Sequence, residues 1–293
     1  MSSTSSTSST ATTEVSWEGV LAKVRTFPTL PMVVHKITEL VSQPETSAKD
    51  IEAVIAKDQV LTAKLLRLVN SPFYGFPQKV TTISRAVGII GFEALRNLVF
   101  SSSVVNLFRS QGSDIFRPAE FWKHSVGTAL GAKELARHLG EKQVEEFFVG
   151  GLIHDIGKLV HEEYFGDPFR QACSLAIRND ILLRQAEQEV LHFTHDQTGG
   201  LLMTQWNLPP KVLAMVRFHH QPAEAREYQR EAGVIHLADI LCRAKGMGSG
   251  GDNKIPLLDQ STWNTLGLTL GDLEQVMQRM AEHFDEAVAF LGS

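Results

Sequence analysis

The sequence predicts an all-α protein, with an N-terminal helical bundle followed by a second helical unit. Three observations support this class. Apolar residues recur at helical spacing through most of the chain after Trp17, no stretch sustains the period-two alternation of a half-buried strand, and β-branched residues fall mostly inside helical patterns.

Residues 1–16 are almost entirely Ser and Thr up to Thr13, a composition that buries too little apolar surface to offset ordering entropy. They are expected to form a flexible tail, with a regulatory phosphorylation segment as the alternative. Apolar positions 33, 34, 37, 40 and 41 predict a helix over 32–41, ended by Pro44. Ser47 with Asp50 three residues on predicts an N-cap with a capping-box start, leading into Ile51, Val54 and Ile55. Residues 60–69 form a further helix that Asn70-Ser71-Pro72 terminates. Residues 83–100 hold two helical patterns that pivot at Gly91. A DNA-reading helix-turn-helix is one interpretation, but the second pattern offers only Glu93, Arg96 and Asn97 as polar contacts, and packing explains it better.

Gly112, Ser113 and Asp114 lie in a junction over 111–118, giving a bundle over 17–112 and a second unit over 113–293. The glycine-rich segment 246–253 closes that unit. Residues 257–291 then supply one or two helices with a stripe at Leu270, Leu273, Val276, Met277 and Met280.

With 293 residues and 43% hydrophobic content, the chain builds an ordinary core without staples. A net charge of −5 from 28 basic and 33 acidic residues gives no general attraction to nucleic acid or an anionic membrane. Cys173 and Cys242 stand alone in helical patterns and are expected to be buried, reduced thiols. No apolar run approaches the roughly 20 residues of a membrane span, and the N-terminus lacks a signal-peptide pattern. The expected location is the cytoplasm.

Histidine carries the chemistry. Eleven occur, several beside carboxylates at helical spacings. Glu120 and His124 are four apart and share a helical face. His154 and Asp155 are adjacent in the apolar stretch GGLIHDIGKL, where a buried Asp needs a partner or a metal. Lys158 lies one turn further on and can point into the same pocket. His195, the His219-His220 pair and Asp239 follow, each in or beside an apolar helical pattern. Taken singly, each has a plain explanation: a hydrogen-bonded core histidine, a histidine at a helix C-terminus, an aspartate in a salt bridge. Five histidines, two aspartates and a glutamate together point to bound metal.

The order His124, His154-Asp155, His195, His219-His220, Asp239 resembles the HD superfamily of metal-dependent phosphohydrolases, and HDIGK, with Glu120, resembles its HD-GYP subgroup. The segments TLPMVVHKITEL, AKDQVLTAKLLRLVNSPFYG, ISRAVGIIGFEALRNL and HDQTGGLLMTQWNLP, within residues 20–220, resemble the HDOD family of bacterial signalling domains. The resemblance implies that the N-terminal bundle packs on an HD-type helical domain. It also implies that Asp155 bridges two ions, with His124, His154 and Asp239 at one site, His195 and His219 at the other, and His220 and Glu120 nearby.

Imidazoles and carboxylates without thiolate suit one or two divalent transition ions, iron or manganese by preference, with nickel or zinc also admitted. In an enzyme, such ions would polarise a phosphoryl group and generate a nucleophile at neutral pH, with Asp155 and Lys158 as the catalytic residues. After His219-His220 the chain reads QPAEAREYQREAG, without the Gly-Tyr-Pro loop of the HD-GYP group. HDOD domains resemble regulatory modules, so the expected function is signal transduction with a retained metal site. A phosphohydrolase acting on a nucleotide or phosphodiester is the alternative, and a DNA-binding regulator is disfavoured. The partner, a signalling protein or a small ligand, is expected to bind in trans.

Overall fold

The structure is a computed structural model that describes residues 16–71, 74–108 and 112–291. The predicted N-terminal tail up to residue 15, and residues 109–111 at the predicted junction, lie outside the described residues. Among the described residues there is no strand, and the elements are helices joined by turns and by longer loops before α5 and after α13.

The N-terminal bundle comprises α1 (Trp17–Lys23), a 3-10 turn (Val24–Thr26), α2 (Met32–Val41), α3 (Ala48–Ile55), α4 (Gln59–Val69), α5 (Ile83–Ile90) and α6 (Phe92–Val105). Its boundaries follow local chemistry. Ser47 and Asp50 form the predicted capping box at the start of α3, with Ser47 N donating to Asp50 Oδ2 at 2.9 Å. Asn70 ends α4 by bonding across the following loop: its Nδ2 donates to Val80 O at 2.7 Å, and its Oδ1 accepts from Val80 N at 2.6 Å. Gly91, at φ 85°, turns the chain by 120° between α5 and α6. Most of α6 is buried from Leu95 to Val104, in keeping with a packing role for residues 83–100.

The second unit is organised on α7 (Pro118–His138), buried without interruption from His124 to Ala136. Around it stand α8 (Val144–Ile153), α13 (Gln229–Ala244) and α15 (Leu270–Leu291). Small residues make these contacts close. A side chain at Gly151 of α8 would meet Ala129 Cα of α7 at 2.7 Å, and one at Gly127 of α7 would meet Cys242 Sγ of α13 at 2.6 Å. The remaining elements are α9 (Ile156–Asn179), bent at Gly166, α10 (Leu183–Val190), α11 (His195–Gln205), α12 (Pro210–Arg217), a 3-10 segment (Pro222–Tyr228) and α14 (Gln260–Leu266).

One hydrophobic cluster runs through both parts. Trp206 Nε1 donates to Pro28 O at 2.7 Å, Tyr164 OH donates to Thr26 O at 2.7 Å, and Phe100 meets the Trp206 ring edge-on. The bundle is thereby packed on the second helical unit. Cys173 and Cys242 are buried free thiols. Among the described residues no single helix is long and apolar enough to cross a membrane.

Candidate metal centre

The chain breaks its helix at the sequence motif HDIGK. His154 caps the end of α8, Asp155 precedes α9, and the corner projects both side chains inward with no exposure. α7 supplies His124, α13 supplies Asp239, the first residue of α11 is His195, and the turn after α12 carries His219 and His220.

These side chains surround one carboxylate. Asp155 Oδ2 lies 3.4 Å from His124 Nε2 and 3.3 Å from His154 Nε2. Its Oδ1 lies 3.1 Å from His195 Nε2 and 3.6 Å from His219 Nε2. Asp239 Oδ1 faces His124 Nε2 at 3.1 Å, and His220 Nε2 lies 2.9 Å from His195 Nε2. Two groups of donor atoms result, each within 4.8 Å: Asp155 with His124 and His154, and Asp155 with His195, His219 and His220.

The outer partners orient the rings. His154 Nδ1 donates to Gly151 O at 2.7 Å, His219 Nδ1 to Val216 O at 2.8 Å, and His195 Nδ1 to Glu187 Oε2 at 2.6 Å. Each bond orients a ring with its Nε2 edge toward Asp155. Yet His124 Nε2, His154 Nε2, His219 Nε2 and Asp155 Oδ1 are buried without any hydrogen bond. Convergent polar atoms left without hydrogen bonds are costly in a protein core, and divalent cations held by the two donor groups would satisfy them. The residues fit a divalent metal.

Buried charges act on these groups in both directions. Burial works against the Asp155 carboxylate, but His154 and Lys158 hold its pKa well below the ordinary value, and Arg243 does the same for Asp239. Burial pushes the pKa of His219 and His220 down, which favours their neutral forms. Burial also opposes the charged form of His195, but Glu187 beside it lifts its pKa to about 9.

Of the residues predicted from sequence, His124, His154, Asp155, His195, His219, His220 and Asp239 converge here. Glu120 does not join either donor group: its carboxylate pairs with Lys123 at 2.9 Å, and its main chain accepts from Ser249 N at 3.0 Å. Lys158 is fully buried with Nζ 2.6 Å from Asp155 Oδ2.

Sequence reasoning missed three features. Glu187 is one, although its place with Leu183 and Ala186 on the buried face of α10 marks it as a carboxylate on an apolar stripe. Arg243 is the second, four residues after Asp239 and bonded to it at 2.8 Å.

The third is a strap over the centre formed by residues 246–252. Gly248, at φ 77°, lies against the backbone of Glu120 and His124, where a Cβ would come within 2.4 Å of each. A Cβ on Gly250 would stand 3.0 Å from Lys158 Nζ and 3.2 Å from Asp155 Oδ2. Asp252 fastens the strap by accepting from Leu183 N at 3.0 Å and Arg243 Nη1 at 2.8 Å.

Known proteins share this architecture. A profile of the HDOD domain matches residues 27–222. An HDOD domain protein of unknown function from Geobacter sulfurreducens superposes with a TM-score of 0.76 at 25% identity, over 94% of this chain and 98% of its own. A Shewanella amazonensis protein named "Putative phosphohydrolase" superposes with a TM-score of 0.70 at 28% identity, over 93% of this chain and 97% of its own. An uncharacterised Treponema pallidum protein is 26% identical over 223 residues, which are 75% of this chain and 43% of that protein. The chain thus spans less than half the length of that curated relative. With two-thirds of its length matched and its helices in the same arrangement, the chain belongs to the HDOD domain family.

Proposed function

We propose that this protein is a bacterial signal-transduction module of the cytoplasm, in which a dinuclear HD-type metal centre acts as a structural or sensing element. The observation that carries this reading is the closure of the centre. Asp155, His124, His154, His195, His219 and Asp239 are at most 1% exposed, and the strap lies across Lys158 and Asp155. A substrate phosphoryl group approaching Asp155 would have to displace that strap. A buried ion joining α7, α8, α11, α13 and the turn after α12 would hold the HD half in one arrangement, as structural metals do. A signalling protein or small ligand binding in trans would then read that arrangement.

The second reading is a phosphohydrolase. It is favoured by Lys158 and Arg243, whose cationic groups both lie next to Gly250, and by the name of the Shewanella relative. When bound, a divalent ion would supply charge stabilisation for a phosphoryl oxygen and a lowered pKa for water. Asp155 and Asp239 would hold it, and Lys158 would contact the phosphate.

The test is turnover of bis(p-nitrophenyl) phosphate and of a cyclic dinucleotide by the full chain loaded with iron, manganese, nickel or zinc. The signalling reading predicts rates far below the roughly 1–10³ per second typical of enzymes. Turnover in that range, abolished by Asp155→Ala, would establish the hydrolase.

A further inference from the structure

A cleft of about 490 Å³ lies between the N-terminal bundle and the HD half, away from the metal centre. Its floor is made by Val34 of α2, Asn97 and Phe100 of α6, Val149 of α8, and Trp206 and Val212. Its size falls within the roughly 300–1,000 Å³ of small-molecule sites, and such sites favour boundaries between packed units.

Asn97 is the polar group on that floor. It is 8% exposed, and its Oδ1 receives only a 3.4 Å contact from the neighbouring Arg96. Its Nδ2 makes no hydrogen bond among the described residues. Because Nδ2 is not fully enclosed, it reaches the solvent of the cleft, where a ligand oxygen can take the place of water. An asparagine here makes sense if a ligand takes the donor.

The charges around the cleft select the class of ligand. Arg96 is paired with Glu93, and Glu146 is paired with Lys211 at 2.5 Å. Glu39 on the rim has no described ion-pair partner, which disfavours an anion, while the apolar floor disfavours any ion.

We propose that this cleft binds an uncharged, mainly apolar small molecule whose carbonyl oxygen accepts from Asn97 Nδ2. Val149 stands on α8, which runs into His154, and Val212 stands on α12, which ends just before His219. An occupant would therefore touch two helices that lead into His154 and His219 of the metal centre. The proposal does not depend on the metal being present.

The test uses Nile red, an uncharged planar dye with one carbonyl, against 1-anilinonaphthalene-8-sulfonate as its anionic counterpart. Nile red should bind the full chain saturably at a single site. Thr38→Trp, on the exposed rim, should block entry, and Val149→Trp should fill the floor. Either should weaken binding by about tenfold or more, with helicity unchanged for Thr38→Trp even if Val149→Trp misfolds. Asn97→Leu, which keeps the volume and removes the amide, should weaken the dye about tenfold. The sulfonate should bind more weakly than Nile red. The proposal is overturned if no saturable binding occurs, if Thr38→Trp binds the dye as wild type does, if Asn97→Leu binds undiminished, or if the sulfonate binds as tightly.

Discussion

Glu187 accepts a hydrogen bond from His195 Nδ1 at 2.6 Å, while its other oxygen faces His161 Nδ1 at 3.0 Å. One buried carboxylate thus orients the ring whose Nε2 faces Asp155. It also receives the His195 backbone N–H at 3.0 Å, tying the start of α11 to α10. Outer carboxylates of this kind raise the basicity of a ligand imidazole and lock its tautomer. Glu187→Gln should weaken metal affinity by about 10–100-fold with the fold intact, measured by competition with a chromophoric chelator. Unchanged affinity would mean that His195 needs no such support.

The strap depends on Asp252, whose oxygens accept from Leu183 N, Arg243 Nη1 and Lys254 N. Asp252→Ala removes all three bonds and leaves the strap held by Ser249 N to Glu120 O, by Gly246 N and Met247 N to the end of α13, and by packing. Local opening then becomes easier without global unfolding. Amide exchange over residues 248–251 should accelerate, and a chelator should strip the metal several-fold faster than from wild type. Equal stripping rates would show that the strap does not gate the centre.

Two glycines make opposite predictions. A Cβ on Gly157 of the HDIGK motif would sit 2.0 Å from His195 O and 2.9 Å from Gly199 N, and backbone atoms cannot move aside as a side-chain tip can. Gly157→Ala should therefore force α9 from α11 and cost about 3 kcal/mol, with metal affinity falling as His195 is displaced. Gly88, on the exposed side of α5, has nothing within 4 Å of its Cβ position. Gly88→Ala should stabilise by about 0.5–1 kcal/mol through helix propensity. Urea denaturation of both variants checks the pair.

Lys133 supplies a pH dependence away from the metal centre. It is fully buried in α7, 2.7 Å from Glu145, with its ammonium 4.4 Å from the centre of the Tyr74 ring. Burial lowers its pKa from 10.5 to about 8, Glu145 offsetting only part of that effect. Because the folded value lies below the unfolded one, the unfolded chain holds the extra proton between pH 8 and 10.5, and this group's penalty shrinks as pH rises. The full penalty below that window is about 3 kcal/mol. The difference in urea midpoint between wild type and Lys133→Met should move in favour of wild type from pH 8 to 10.5. A difference that stays constant would show that Lys133 titrates normally.

The helical class and most element boundaries were legible because local signals and tertiary packing agree. The helix at Met32–Val41, the Ser47–Asp50 cap and the turn at Gly91 are each set by residues within one or two turns. The convergence of His124, His154, Asp155, His195, His219, His220 and Asp239 was legible through family order. No spacing in the chain states that residues 115 positions apart share a pocket. Glu120 shows the limit of face arguments, since it occupies the same helical face as His124 but lies a turn nearer the rim, where Lys123 pairs with it. The strap was invisible because glycine reports freedom and not destination. Only the fold reveals that residues 246–252 return across α7 and α9.

The central claim is that Asp155 and the imidazoles around it hold a divalent metal. Elemental analysis of the full chain, purified without chelators, tests it most directly, alongside Asp155→Ala confirmed as folded by circular dichroism. Wild type should carry about one to two equivalents of a transition metal per chain, and the variant should lose most of it. Wild-type protein that carries no transition metal and takes up none on titration with iron, manganese, nickel or zinc would contradict it.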